Sequence, residues 1–83
     1  MSRRAEFEER VSRMAKRNDL QIQFLQNGTA QLFLAHFLDQ KISVSMGNRP
    51  CRVFIQFSDG TQKQEEWALL ESVCRNLARG RKP

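Results

Sequence analysis

Apolar residues recur at helical spacing near the start of the chain. The spacing is i, i+4, i+7 and i+8, which places one narrow apolar stripe along a helix. The residues of this stripe are Phe7, Val11, Met14 and Ala15. Glu6 precedes Arg10 by four residues, and Glu9 precedes Arg13 in the same way. Such pairs stabilise a helix slightly, and the pattern predicts a helix over residues 2–18.

Apolar and polar residues alternate from Leu20 to Phe24 in the next segment, LQIQFLQ, residues 20–26. A period of two is typical of a strand with one buried face. Asn27-Gly28 comes next, and Asn-Gly is the strongest local signal for a two-residue hairpin turn, because both turn positions need positive φ. We therefore expect residues 29–38, TAQLFLAHFL, to return as a strand, although their Ala, Leu and Gln residues leave a helix open.

Two further segments alternate in the same way. They are KISVSM, residues 41–46, and CRVFIQF, residues 51–57. After them, Thr61 and Gln64 have the spacing of a capping box, and apolar residues then recur at helical spacing. This pattern predicts a second helix over residues 61–79.

The order of these elements predicts an α+β fold, α-β-β-β-β-α, in which two helices pack on one face of an antiparallel four-stranded sheet. A chain of 83 residues is long enough for one domain. We expect that domain to span residues 1–83: a helix at 2–18, the antiparallel sheet at 20–57, a helix at 61–79 and a basic tail at 80–83.

A two-residue turn at Asn-Gly would fix which side chains of the second strand face the helices. Phe33 would lie on the covered face, and Leu32, Leu34 and His36 would lie on the open one. Together with Phe54, Leu32 and Leu34 would form an exposed apolar patch for self-association or for a partner. A register shifted by one residue, or a helix at 29–38, would remove this patch.

Charge adds a second expectation about partners. The chain has 14 Lys and Arg against nine Asp and Glu, a formal net charge of +5. This balance favours an acidic partner, nucleic acid first and an acidic protein surface second. We expect basic residues around the open sheet face to contact that partner together with an aromatic and a histidine. The predicted binding residues are Arg10, Arg13, Arg17, Arg49, Arg52, Phe54, His36, Arg79, Arg81 and Lys82.

The sequence offers little for catalysis. It has one His, no Tyr and two distant cysteines, and we find no nucleophile, base and orienting group at readable spacing. We therefore expect no enzyme activity, no metal site and no cofactor. No apolar run reaches the length of a membrane span and no export signal is recognised, so we expect a cytoplasmic protein with reduced thiols.

Two hypotheses follow. The leading one is a small, basic, non-enzymatic module that binds nucleic acid, DNA or RNA, or a nucleic-acid-processing complex, through the open sheet face and its rim of arginines. The alternative is a protein-interaction factor, a dimeric adaptor or inhibitor such as a phage or mobile-element accessory protein, that masks the surface of another protein. A homodimer fits either hypothesis.

Overall fold

The computed structural model describes residues 3–80, apart from the side chains of Phe37 and Leu38. The described elements, in chain order, are α1 (Arg3–Arg17), β1 (Gln21–Phe24), β2 (Ala30–Leu34), β3 (Phe37–Met46), β4 (Arg52–Gln56), β5 (Gln62–Glu66) and α2 (Trp67–Ala78). The strands form one antiparallel sheet in the order β1-β2-β3-β4-β5. The α+β class is confirmed, but the sheet has five strands where the sequence predicts four.

Helix α1 forms as its periodicity predicts. All four stripe residues are buried. The helix ends where the backbone N–H of Asn18 donates to the carbonyls of Met14 and Ala15. The next residue, Asp19, has a positive φ of 55°. Asp is one of the few non-glycine residues that adopt this conformation readily, so the local sequence ends the helix here.

The first hairpin turns through three residues rather than two. The Leu25 N–H donates to the Thr29 carbonyl at 2.8 Å, and the Gly28 N–H donates to the Leu25 carbonyl at 3.0 Å. Gly28 has a φ of +90°, as a type I turn followed by a glycine bulge requires. The predicted two-residue turn is therefore wrong, and the register of β2 differs from the expected one by one residue.

That shift exchanges the faces of β2, because side chains alternate along a strand. Leu32 pairs with Ile22 on β1 and with Ile42 on β3 and is fully buried. Leu34 is partly buried and packs against the same core, whereas Phe33 turns to the opposite face. The prediction that Leu32 and Leu34 form an exposed patch with Phe54 is wrong.

The segment 29–38 is neither one strand nor a helix. β2 ends at Leu34, Ala35 and His36 form a tight turn, and β3 begins at Phe37, which pairs with Leu34. The predicted strand is confirmed for residues 30–34. β3 starts four residues earlier than the alternation at 41–46 indicates.

The fifth strand corrects the predicted second helix. Residues 62–66 pair with β4 along its whole length, from Gln56 opposite Gln62 to Arg52 opposite Glu66. A turn before β5 reverses the chain: the Phe57 N–H donates to the Thr61 carbonyl, and Gly60 adopts a φ of +90°. The helix begins at Trp67, and its N-cap is Glu66, which makes no side-chain hydrogen bond. The capping box predicted from Thr61 and Gln64 therefore does not form, because Gln64 lies in β5.

One core joins the sheet to both helices. Its sheet residues share one face by register: Ala30, Leu32, Ile42, Val44, Val53 and Ile55. Trp67, Leu70, Cys74 and Leu77 of α2 join them, together with the α1 stripe and Leu20. Polar side chains occupy most of the other sheet face, which we call the open face; its members alternate with the core residues along each strand.

Candidate functional site

A groove runs between the two helices on the surface of the helical layer. It is lined by Arg10, Arg13, Met14, Arg17, Trp67, Ala68, Glu71 and Arg75, and we call it the inter-helix groove. Three of its arginines are spaced i, i+3 and i+7 along α1, which places them on one side of the helix, beside the buried stripe. α2 packs against α1 and brings Arg75 to the opposite wall.

Trp67 forms one end of this groove and holds three elements together. The residue is 8% exposed, and its Nε1–H donates to the Pro50 carbonyl at 3.3 Å. Its ring lies 5.9 Å from the ring of Phe7 on α1. On the groove side, the guanidinium carbon of Arg10 lies 4.4 Å from the centroid of the Trp67 ring. This cation–π contact leaves the charge of Arg10 at the groove surface.

Glu71 is the acidic residue that lines the groove, and it is already bonded. Arg17 Nη2 donates to Glu71 Oε1 at 2.5 Å, and Asn18 Nδ2 donates to Glu71 Oε2 at 3.0 Å. Partial burial raises the pKa of this carboxyl, but the hydrogen bonds from Asn18 and Arg17 and the charges of Arg17 and Arg75 outweigh it, so the pKa is lowered. Glu71 therefore stays ionised and ties α2 to the end of α1.

The groove remains cationic after this pairing. Four arginines and one glutamate line it, which gives the lining a formal charge of +3. Arg13 also pairs with Glu9 outside the groove at 2.5 Å, but both side chains are more than half exposed. Exposed pairs of this kind contribute little, so an incoming anion can replace Glu9 at small cost.

The open face carries a continuous polar row across all five strands. Facing residues run Gln23–Gln31–Ser43–Gln56–Gln62, and we call this set the glutamine row. Two half-buried phenylalanines flank it: Phe33, with Lys41 Nζ 5.4 Å from its ring, and Phe54. The open face is therefore polar at its centre, where the sequence predicts an apolar patch.

The structure separates the predicted binding residues into several groups. Arg10, Arg13 and Arg17 meet in the inter-helix groove. Arg52 and Phe54 lie on the open face, Arg49 lies in the β3–β4 turn and His36 is exposed in the β2–β3 turn. Arg79 caps the end of α2, and Arg81 and Lys82 lie outside the described residues. No single rim of arginines surrounds the open face in the described part of the chain.

The sequence pattern does not identify two groove residues, Trp67 and Arg75, as binding residues. Trp67 is recognisable as a core residue, but nothing in the local sequence shows that its ring contacts Arg10. Arg75 sits in an amphipathic helix one turn after Glu71. Its position opposite the α1 arginines depends on how the helices pack, and no spacing signal reveals that.

The two cysteines differ in environment and both are free thiols. Cys51 is exposed in the β3–β4 turn. Cys74 is fully buried in the core, and burial, with a smaller contribution from Glu71, raises its pKa to about 12. Among the described side chains, no three His, Cys, Asp or Glu residues lie close enough together to hold a metal ion.

Across the described residues, no helix has both the length and the apolar character needed to cross a membrane. Comparison with protein-family models, curated proteins and solved structures finds no match to this chain. The geometry of the groove and of the open face is therefore what a functional proposal rests on.

Proposed function

We propose that this protein is a non-enzymatic nucleic-acid-binding module that holds a phosphate backbone in the inter-helix groove. The observation that supports it most is the convergence of Arg10, Arg13, Arg17 and Arg75 from two helices on one groove. Arginine is suited to phosphate because its planar guanidinium donates two parallel hydrogen bonds. Free thiols at both cysteines are consistent with a cytoplasmic location, which is part of the proposal.

The dimensions of the groove fit a backbone rather than a single anion. Arg10 and Arg17 are seven residues apart on α1, which corresponds to about 10.5 Å along the helix. Phosphates of one DNA strand follow one another at about 3.4 Å along the duplex axis. This length corresponds to about three axial steps of a strand, so the α1 arginines can contact more than one phosphate. Contacts of this kind position a nucleic acid without reading its sequence.

The open face has a smaller part in this proposal than the sequence indicated. Its centre is the uncharged glutamine row, and Lys41 and Arg52 are its basic residues near the two phenylalanines. Arg52 lies opposite Glu66 on β5, which offsets its charge. The groove carries the larger uncompensated charge and is the stronger candidate for phosphate contact.

The test compares two double variants that lose equal charge. Arg13→Gln with Arg75→Gln removes two groove arginines, and Lys41→Gln with Arg52→Gln removes two positive charges from the open face. Binding of fluorescent single-stranded and duplex DNA and RNA is measured by anisotropy over a series of salt concentrations. The slope of log K against log salt is negative, and each lost phosphate contact reduces its magnitude by about 0.9 on duplex DNA.

We expect the groove variant to reduce the magnitude of this slope by about 1.8 on duplex DNA and the open-face variant to leave it unchanged. Circular dichroism checks that both variants fold. An equal reduction of the slope's magnitude in the two double variants would mean that binding depends only on net charge and not on the groove. Absence of binding by the wild-type protein to every probe at low salt would refute the proposal and favour the protein-interaction alternative.

A further inference from the structure

Strand β1 forms one edge of the sheet in the described part of the chain, and its own residues carry none of the charges or prolines that commonly protect an edge strand. Its sequence, QIQF, has no charged residue and no proline. Phe24 is 38% exposed and Ile22 is partly buried, so apolar surface accompanies the open edge. Natural edge strands are commonly protected by charges, proline or a covering element, because unpaired backbone groups recruit another strand.

The opposite edge of the same sheet shows such protection. β5, with the sequence QKQEE, carries Lys63, Glu65 and Glu66 within five residues. Charges along an edge oppose pairing with a further strand. The two edges therefore differ, and the difference selects β1 as the edge available for pairing.

The backbone groups of β1 that point away from the sheet can be identified from the hairpin. The Leu25 N–H donates to Thr29, so Leu25 faces β2. Hydrogen-bonding direction alternates along an antiparallel strand, so Gln23 and Gln21 also bond to β2. The N–H and C=O groups of Ile22 and Phe24 then point outward, along the free edge.

These outward groups are self-complementary. If two copies of β1 run antiparallel about a two-fold axis at Gln23, Ile22 of each copy faces Phe24 of the other. Each Ile22–Phe24 pair exchanges two backbone hydrogen bonds, so the edge forms four in total. On the helix side of the sheet, each Phe24 side chain also packs on Ile22 of the second copy, which covers the exposed apolar surface.

We propose that the protein forms a homodimer through β1, with Gln23 of each copy facing the other at the two-fold axis. The two five-stranded sheets become one continuous sheet, and the glutamine row runs unbroken through both copies. The axis is perpendicular to the sheet, so both helical layers lie on the same side. If the proposed function is correct, two inter-helix grooves then face the same polyanion, although dimerisation does not depend on that function.

The interface is small, which predicts a dimer that dissociates on dilution. Four hydrogen bonds and two Ile–Phe contacts are fewer than in a standard protein interface. Sedimentation velocity of the full chain over a dilution series measures the equilibrium. We expect the mass to fall from that of a dimer to that of a monomer as the concentration decreases.

Charge at residue 23 tests the position of the axis. Gln23→Lys places two like charges opposite each other, and we expect dimer affinity to fall by about fivefold or more. Gln23→Glu has the same effect, whereas an equimolar mixture of the two variants restores the dimer through opposite charges. Gln56→Lys is the matched control, because Gln56 is an exposed member of the glutamine row on a central strand. It leaves dimerisation unchanged.

A cross-link provides a second readout. Gln23→Cys in a Cys51→Ser background places two thiols across the axis, where facing Cα atoms of a non-hydrogen-bonded pair are about 4.5 Å apart. This distance lies within the range of a disulfide, so we expect diamide to cross-link the dimer. Gln56→Cys in the same background stays monomeric on denaturing gels.

Two results would overturn the proposal. One is a wild-type protein that remains monomeric up to the limit of its solubility. The other is a dimer that Gln23→Lys does not weaken and that Gln23→Cys does not trap, which would place the interface on another surface. If a variant loses nucleic-acid binding but keeps the mass of the dimer, the result concerns only the proposed function of the inter-helix groove and leaves the β1 dimer unaffected.

Discussion

Truncation of Trp67 to alanine tests whether one side chain joins the two helices to the β3–β4 turn. Trp67 is 8% exposed, its ring centroid lies 5.9 Å from that of Phe7, and its Nε1–H donates a hydrogen bond to the Pro50 carbonyl. Removing a buried Trp side chain costs about 3–5 kcal/mol. A domain of 83 residues has a total stability of roughly 4–12 kcal/mol at the usual range per residue. Trp67→Ala should therefore remove about a quarter of the stability or more.

Urea unfolding followed by far-ultraviolet circular dichroism measures this loss, because Trp67 is the single tryptophan and the variant has no tryptophan fluorescence. Trp67→Phe is the matched control. It keeps an aromatic ring against Phe7 and loses the N–H bond to Pro50 and some volume, so we expect a loss of roughly 1–2 kcal/mol. A loss below about 1 kcal/mol for Trp67→Ala would show that the side chain does not pack between the helices as described.

Two further predictions concern the pairing of Glu71 and the register of β2. The folded state lowers the pKa of Glu71, so its ionised carboxyl stabilises the fold above the unfolded pKa, and that contribution is lost as pH falls through the folded pKa. Glu71→Gln should therefore be less stable than wild type near neutral pH, and this difference should shrink in urea unfolding as pH falls through the folded pKa; a difference that is constant with pH would contradict this. Leu32→Ala should lower the free energy of unfolding by about 2–5 kcal/mol and Phe33→Ala by about 1 kcal/mol, because Leu32 is fully buried and Phe33 is on the open face. Chemical denaturation measures both losses, and a larger loss for Phe33→Ala would support the register of a two-residue turn instead.

The helices were predictable because their signal is local. The α1 stripe repeats at helical spacing, and the same residues are buried in the structure. In α2, Trp67, Leu70, Cys74 and Leu77 follow the same rule. A helix presents residues three and four apart on one side whatever packs against it, so the buried face can be recognised before the partner is known.

β5 was not predictable from alternation because it has no apolar residue. In QKQEE all residues are polar and most are exposed, so neither face produces a period of two. What makes it a strand is the tight turn after Phe57 and the free edge of β4, which offers hydrogen bonds to the returning chain. Such pairing depends on the tertiary structure, and the Thr61-to-Gln64 spacing is equally compatible with a helix start.

The candidate site was predictable in part for the same reason. The spacing of Arg10, Arg13 and Arg17 places them together on α1 without reference to the rest of the chain. Arg75 joins them because α2 packs beside α1. Arg10 contacts the Trp67 ring, which a hydrogen bond to Pro50 in the β3–β4 turn holds in place. A groove between two elements requires their packing, which sequence spacing alone does not contain.

A difference of one residue in the length of the first hairpin turn decides which side chains lie on the open face. The same Asn-Gly sequence serves a two-residue turn or the three-residue turn observed, and Gly28 at positive φ satisfies either. With the observed turn, Leu32 enters the core and Gln31 comes to lie between Gln23 and Ser43. Apolar surface that would have attracted a partner to the centre of the sheet is used in the core. The surfaces that we propose for contact are therefore the uncharged β1 edge and the arginine-lined groove between the helices.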